Sequence, residues 1–295
     1  MVSHVGLDTS VEWSPDGQYL AYASGYGHEP DLFVVGILSV ETGRERLLRL
    51  NRIVRFGGHS FELHWSPDGR SLLALGRDKD YVGPRMDSQG LYRIDAQTGT
   101  VTPIIQAKNI CPPDCVEWPV WSPNGTVIFV RWNGGYRSIV ALESESGLEK
   151  EIYRAASSTR VSRLAVSPDG QRVAFVSNGS VGKTLLKVVS AAGGEARELL
   201  TLPALAGESP LAWTPDSRYI IYTVSSNGEK REFELWRIPA DGGEPQNLGL
   251  SMEERWLYGL SVHPDGRRIA FAAGTPARSE IWVMENFVPA LKDGN

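Results

Sequence analysis

Apolar and polar residues alternate in short runs along the whole chain. In Val11–Trp13 every second residue is apolar, whereas Tyr19–Tyr22, a few residues later, is apolar throughout. Alternation is typical of a strand with one buried face, and a continuous apolar run suits a strand that is covered on both faces. No segment has the 3.6-residue apolar spacing of an amphipathic helix. The pattern predicts an all-β protein made of many short strands.

A turn of the form Ser-Pro-Asp-Gly separates two such strands, and it recurs six times. The prolines of these turns follow one another at intervals of 45 to 56 residues: Pro15, Pro67, Pro123, Pro168, Pro215 and Pro264. Proline presets φ, the aspartate bonds nearby amides, and glycine accepts the left-handed conformation that closes the turn. Asn124 replaces the aspartate in one turn and Ser217 replaces the glycine in another. Six turns at this spacing indicate an internal repeat.

A second strand–turn–strand pattern follows each of these hairpins, so that each repeat contains four antiparallel strands. Four strands form one blade of a β-propeller, and the sequence therefore predicts a six-bladed β-propeller. We expect residues 1–295 to form a single domain with units near 8–58, 59–112, 113–158, 159–206, 207–254 and 255–292. The last unit lacks a fourth strand, which either Phe287–Lys292 or the first seven residues must supply. We expect the C-terminal segment, since Pro289 is acceptable on an outermost strand.

The repeated Trp-Ser-Pro-Asp-Gly turn, followed by Leu235-Trp-Arg-Ile-Pro-Ala-Asp-Gly-Gly-Glu-Pro245 and its counterparts, resembles the PD40 repeats of TolB-like propellers. The resemblance covers residues 8–290. It implies a module that binds proteins or peptides at the mouth of its central channel, and it supplies no catalytic motif. The segment Ile281–Phe287 resembles the end of larger bacterial proteins in which such repeats follow a kinase or a DNA-binding regulator. That likeness implies an excised sensory or interaction domain.

Charge and hydropathy exclude several partners. The net charge of −5 and the pI of about 5.6 provide no basic field for a nucleic acid. No apolar run reaches the roughly 18 residues that span a bilayer, so we expect no direct membrane insertion. The start of the chain lacks the basic and apolar regions of a secretory signal. We therefore expect a cytoplasmic protein or, if the chain is an excised or processed domain, a periplasmic or other extracytoplasmic one.

Candidate binding residues lie at the end of the propeller opposite the Ser-Pro-Asp-Gly turns, where the loops between units meet. Six residues are expected nearest the channel mouth: His59, Glu62, Glu117, Arg163, Arg255 and Trp256. Trp256 beside Arg255 is the strongest candidate, because a loop tryptophan offers apolar area and a hydrogen-bond donor. The alternative is that these charges only line a water-filled entrance. The expected ligand is a protein, a peptide or a small molecule in the central channel, with no cofactor.

Catalytic and metal motifs are weak. No Gly-x-Ser-x-Gly elbow of a serine hydrolase occurs. The alternative function is a hydrolase or lyase acting on a carbohydrate or ester, in which His59, His64 and Glu117 serve as base or metal ligands. A metal site would take its further carboxylate from Glu12 or Glu117 of a neighbouring blade. His263, at the serine position of its turn, is expected to be structural. Cys111 and Cys115 form a disulfide or remain free thiols, and the sequence leaves both open. A non-catalytic binding or scaffolding propeller is the leading interpretation.

Overall fold

The structure is a computed structural model that describes residues 2–4, 8–25, 33–51, 53–55, 63–78, 90–106, 114–144, 146–179, 182–202, 210–225, 232–253, 256–275 and 278–287. These residues form strands and turns, with no helix among them. In particular, nothing in these ranges is a helix with the length and apolar character that a membrane crossing requires.

The strands form six antiparallel sheets, in which most consecutive strands lie side by side. Blade 1 contains β2 (Asp8–Trp13), β3 (Tyr19–Gly25), β4 (Phe33–Ser39) and β5 (Glu45–Leu48). Blade 2 contains β6 (Ile53–Arg55), β7 (Leu63–Trp65), β8 (Ser71–Asp78), β9 (Gly90–Asp95) and β10 (Val101–Ile105). Blade 3 contains β11 (Cys115–Trp121), β12 (Val127–Trp132), β13 (Arg137–Leu142) and β14 (Glu149–Arg154).

Blade 4 contains β15 (Arg160–Val166), β16 (Arg172–Asn178), β17 (Thr184–Ser190) and β18 (Arg197–Leu202). Blade 5 contains β19 (Leu211–Trp213), β20 (Tyr219–Ser225), β21 (Glu232–Pro239) and β22 (Gln246–Glu253). Blade 6 contains β23 (Trp256–Val262), β24 (Arg268–Thr275), β25 (Arg278–Glu285) and, from the start of the chain, β1 (Val2–His4). The six-bladed propeller predicted from the repeat is confirmed. In blade 2 the innermost strand is split, because β6 and β7 both pair with β8.

The blades form a closed ring. The first strand of each blade is innermost and contacts the innermost strand of the next blade, and β23 of blade 6 contacts β2 of blade 1. Each of the six apolar cores lies between two neighbouring blades rather than within one sheet. Trp13, Trp65 and Trp213 belong to three of these cores. Burial between blades therefore holds the ring together.

Polar contacts join neighbouring blades at the edges of the ring. The Nε1 atoms of Trp65 and Trp213 donate to the backbone carbonyls of Glu12 and Ala165 in the preceding blades, at 3.2 and 2.9 Å. On the outermost strand of blade 1, Arg46 donates to the carbonyls of Ala96 and Gln97 in blade 2. These bonds supply partners for backbone groups at the junctions and fix the position of each blade relative to the next.

The Ser-Pro-Asp-Gly turns have the geometry that their composition predicts. In the first turn Ser14 Oγ donates to Asp16 at 2.5 Å, and the amide of Tyr19 donates to Ser14 Oγ. Gly17 has a φ of +70°, in the left-handed region. Ser217 adopts φ +59° in place of glycine, and its hydroxyl accepts the amide of Asp169 from the neighbouring blade. The substituted turn thus gains a contact between blades that glycine cannot make.

The ring is closed by the N-terminal strand, so the expectation that Phe287–Lys292 closes it was wrong. β1 pairs with β25 in antiparallel register, with Val2 opposite Ile281. Asn286 has a φ of +54°, and it turns the chain out of the sheet directly after β25. Phe287 is then buried in the core between blades 5 and 6. β1 thus occupies the edge of β25, and Phe287 contributes to a core between blades instead of extending the sheet.

Candidate functional site

A cavity of about 250 Å³ lies on the axis of the ring, and residues of all six innermost strands line it. Its most regular feature is a layer of six side chains, each two residues before the first residue of a Ser-Pro-Asp-Gly turn or its variant. These are Glu12, His64, Val120, Ala165, Ala212 and Ser261. The repeat therefore places one residue of every blade around the cavity at one level.

This layer has two different halves. In blades 3, 4 and 5 it offers only the apolar side chains of Val120, Ala165 and Ala212. In blades 1 and 2 it carries Glu12 and His64, whose Oε1 and Nδ1 atoms are 3.4 Å apart. A cavity with apolar walls and a few placed polar groups is the usual form of a small-ligand site.

Glu12 is held in place by the next blade. Its Oε2 accepts the backbone amide of Trp65 at 2.5 Å, while Oε1 faces His64. About a quarter of its side chain remains exposed, at 27%. A carboxylate accepts hydrogen bonds at about four lone-pair positions, so these two contacts leave room for a further donor. Glu12 therefore joins two blades and also presents a carboxylate oxygen to the cavity.

Bulges interrupt four of the innermost strands near the end of the channel opposite the Ser-Pro-Asp-Gly turns. The register shifts between Asp8 and Ser10, Glu117 and Val120, Ser162 and Ala165, and Tyr258 and Leu260. At three of them one residue is left-handed: Trp118 (φ +52°), Arg163 (φ +56°) and Gly259 (φ +60°). The conformation suits glycine but costs an L-residue about 1–2 kcal/mol. Bulges are common beside binding sites, where they re-aim a side chain.

The bulges of blades 3 and 4 bring Trp118 and Arg163 together. The guanidinium carbon of Arg163 lies 4.4 Å from the centre of the Trp118 ring, which is a cation–π contact. Trp118 is buried in the core between the two blades, and Arg163 lines the axial cavity. The buried ring thus supports a cationic side chain at the edge of the cavity.

A second cluster of arginines and aromatic rings lies at the same end of blade 3. Glu117 pairs with Arg137 at 2.9 Å, and the Arg137 guanidinium lies 4.6 Å from the centre of the Trp132 ring. Arg154 lies similarly over Tyr136, at 4.4 Å. Glu117 is therefore occupied within its own blade, and it is not among the described residues that line the cavity.

The structure describes some of the six predicted site residues and not others. Arg163 lines the cavity, and its role in binding stays a prediction. Glu117, Arg163 and Trp256 lie on innermost strands, where the sequence predicted loops. The reason is that the bulged strands extend further toward the channel mouth than their apolar pattern indicates. His59, Glu62 and Arg255 lie outside the described residues, as does the Trp256 side chain, so their place at the channel mouth stays a prediction.

Two features were anticipated in outline. Glu12 was named as one of two carboxylates that could meet His64 at a metal site, and the structure brings Glu12 and His64 into contact. His263, which stands where five other turns have serine or threonine, was expected to be structural, and its contacts now define that role. Its Nε2 lies 3.1 Å from the carbonyl oxygen of Gly17, and its ring meets Trp13 edge-on at 4.6 Å. His263 thereby joins blade 6 to blade 1, where the ring closes.

The cysteines and the proposed metal ligands have these positions. Cys115 is disulfide-bonded; Cys111, the other cysteine of the chain, lies outside the described residues, and the pairing of the two stays a prediction. Over the ranges that the structure describes, no group of three or more His, Cys, Asp or Glu side chains could hold a metal ion. His64 contacts Glu12, and Glu117 is paired with Arg137, so these two proposed ligands have different partners.

The lipoprotein LpqB β-propeller domain (Gmad1) is the known family whose pattern matches residues 65–256, more than half of the chain. The chain belongs to this family. The resemblance to TolB-like propellers is also confirmed at the level of the fold. TolB from Acinetobacter baumannii superposes with a TM-score of 0.64 at 20% identity, over 84% of this chain and 55% of that one.

Two further proteins to which the chain is similar are named as enzymes. An oligogalacturonate lyase in complex with manganese superposes with a TM-score of 0.62 at 17% identity, over 94% of this chain and 77% of that chain. The uncharacterized peptidase YuxL of Bacillus subtilis (strain 168) is 32% identical over 107 residues, which are 36% of this chain and 15% of that protein. This LpqB-type propeller therefore spans only a small part of the peptidase. At these low identities the structural likenesses show only that the fold is shared.

Proposed function

We propose that this propeller is a non-catalytic binding module, which recognises a protein, a peptide or a small ligand at the end of the channel that carries Arg163. One observation carries the proposal: Arg163 lines the axial cavity in left-handed backbone and stacks on Trp118 of the neighbouring blade, a second left-handed non-glycine residue. Such strained residues cost about 1–3 kcal/mol each and cluster at ligand sites. The cluster of Arg137 and Trp132 beside them has the composition of interaction hot spots.

The test uses two defined probe sets: a phage-displayed random peptide library and a library of small metabolites screened by thermal shift. Ligands selected on the wild-type protein are measured against Arg163→Ala and against Arg70→Ala, a matched control at an exposed turn of the opposite rim. We expect Arg163→Ala to weaken the selected ligands by roughly tenfold or more, which corresponds to about 1.4 kcal/mol. Ligands that bind both variants equally well would place recognition elsewhere.

The predicted mouth residues have their own test. Alanine at Arg255 and Trp256 is expected to weaken the same ligands while lowering the melting temperature by no more than a few degrees, as for surface changes of about 1 kcal/mol. Loss of stability together with intact binding would count against their role.

An extracytoplasmic location, periplasmic in a bacterium, belongs to the same proposal. The family is named for a lipoprotein, and disulfides persist in oxidising compartments, which agrees with the bonded state of Cys115. Fractionation of cells that express the native gene product tests this, and recovery in the cytoplasmic fraction would refute it.

A hydrolase or lyase acting on a carbohydrate or ester is the second candidate. The contact between Glu12 and His64 in the cavity favours it, since a carboxylate that orients a histidine is a common arrangement of a general base. A stoichiometric metal ion in the purified protein, or turnover that is lost in His64→Gln, would support this candidate over the binding module.

A further inference from the structure

The residue just before each Ser-Pro-Asp-Gly turn directs its backbone amide into the axial channel. In blade 4 the Ser167 amide donates to the Arg172 carbonyl. Hydrogen-bonded and non-bonded pairs alternate between antiparallel strands, so the next pair, Val166 and Val173, is a non-bonded one. The Val166 amide therefore points away from β16, and on an innermost strand this direction is the channel. The same register directs two further amides into it, those of Trp213 and Val262.

Two blades supply their own acceptor for this amide. The Trp13 amide of blade 1 donates to Ser261 Oγ of blade 6 at 3.0 Å. The Trp65 amide of blade 2 donates to Glu12 Oε2 of blade 1 at 2.5 Å. Ser261 and Glu12 both belong to the layer of six side chains around the cavity. A polar residue of this layer thus accepts the channel-facing amide of the next blade.

Three neighbouring blades have no such acceptor. The layer residues of blades 3, 4 and 5 are apolar, and they precede three amides that we call the open amides: those of Val166, Trp213 and Val262. Within the described ranges, no side chain and no carbonyl of another blade accepts an open amide. The buried indole N–H of Trp121, which also lines the cavity, is likewise without an acceptor among the described residues. Buried N–H groups nearly always have a partner, so this side of the cavity is suited to an acceptor from outside the chain.

We infer that the axial cavity binds a short-chain monocarboxylate, with its carboxylate at the open amides. The inference goes beyond the proposed function, because it needs no contact with Arg163. Several backbone N–H groups directed at one place form an anion site. The chain itself shows the match, since the Glu12 carboxylate occupies the equivalent amide of Trp65.

The walls around the open amides narrow the class of ligand. The side chains of Val120, Ala165 and Ala212 are apolar, which suits a hydrocarbon tail, and a cavity of about 250 Å³ keeps that tail short. A carboxylate accepts hydrogen bonds at about four positions, so one group can serve several donors. An ammonium ligand would offer the open amides no acceptor.

Glu12 is the carboxylate among the described lining residues, and its position is compatible with a second anion. It lies in blade 1, three places round the ring from the Val166 amide in blade 4. The Trp65 amide donates to one of its oxygens and His64 faces the other. Its charge is therefore engaged on the side of blade 2, away from blades 4 and 5.

The first experiment titrates the intact protein with sodium propionate and follows the backbone amide signals by NMR. We expect saturable binding, with the largest amide shifts at Val166, Trp213 and Val262. The Trp65 amide, which already has Glu12 as its acceptor, should change little. Propionamide and propylamine have the same carbon chain without the negative charge, and we expect both to bind more weakly by roughly tenfold or more.

Two variants test the layer in opposite directions. Ala212→Ser supplies a hydroxyl at the position from which Ser261 accepts the Trp13 amide, so it should occupy the Val262 amide and weaken propionate by roughly tenfold or more. Ser261→Ala removes an internal acceptor and should bind propionate at least as tightly as the wild type does. General damage to the fold would weaken binding in both. If either variant does not fold, the titration of the wild-type protein still decides the question.

The inference is overturned if propionate does not bind at millimolar concentration, if the uncharged or cationic probe binds as tightly, or if the open amides do not shift. Its failure can be separated from that of the proposed function. Binding that is lost in Arg163→Ala without shifts of the open amides would assign the carboxylate to the arginine and refute the amide site alone. Shifts of the open amides in a protein whose library ligands ignore Arg163 would support the amide site and refute the proposed function alone.

Discussion

Gly259 is a position at which the geometry predicts a clear loss of stability. It lies at the bulge of β23 with φ +60°, and a Cβ added there would stand 2.8 Å from the backbone nitrogen of Val11 in blade 1. Gly259→Ala therefore has two costs: left-handed backbone of about 1–2 kcal/mol and overpacking of about 1–3 kcal/mol. The expected loss in the free energy of unfolding is about 2–5 kcal/mol.

Gly43→Ala is the matched control. Gly43 has a similar φ of +66°, but nothing lies within 4 Å of an added Cβ. It should lose only the backbone contribution of about 1–2 kcal/mol, and the entropy that alanine removes from the unfolded chain is the same in both variants. Urea unfolding of the two variants measures the difference. Equal losses would refute the conclusion that blade 6 approaches the backbone of blade 1 this closely.

Three further predictions concern the contact between blades 6 and 1, a Ser-Pro-Asp-Gly turn and the disulfide. His263→Ser should lower stability by about 1–3 kcal/mol, because it leaves the Gly17 carbonyl without its partner; an unchanged urea midpoint would contradict this. Asn124→Asp should stabilise the third turn by about 0.5 kcal/mol at pH 7, since the new carboxylate can accept the neighbouring serine hydroxyl. In the second turn the same bond, from Ser66, is the main reason that the pKa of Asp68 is lowered. A lowered pKa stabilises the fold above the unfolded value of about 3.9, so the gain should vanish as the pH falls below about 4, and a gain that persists at pH 2 would be inconsistent. Reduction of the disulfide at Cys115 should cost about 2 kcal/mol, as judged by urea midpoints with and without dithiothreitol, and identical midpoints would argue against it.

The architecture could be predicted from the sequence because each repeat contains its own turn and its own pattern of apolar residues. Every Ser-Pro-Asp-Gly turn sets a hairpin, and the alternation beside it sets which side chains face the neighbouring blade. The closing strand could not be predicted in this way. Val2–His4 has no turn or alternation of its own, and its partner β25 lies in the last blade, so the pairing is a property of the assembled ring.

The site was less predictable, since bulges change which side chains face the channel. Pro119 inside β11 and Gly259 inside β23 are signals of a bulge that the sequence does contain. The left-handed backbone of Arg163 has no such signal, because an arginine in a strand usually indicates only that its side chain is exposed. The proximity of Glu12 and His64 was predictable, because the repeat alignment gives them the same position in adjacent units.

The three-residue β1 has a consequence for how the ring is made. It is synthesised before the other strands of the propeller, yet Val2 pairs with Ile281 on β25 of the last blade. Contacts this distant in sequence form slowly. Until then, the edge of β25 offers unsatisfied backbone groups to any other chain. At high concentration, two copies could exchange their first strands, and the resulting dimers would have intact blades throughout.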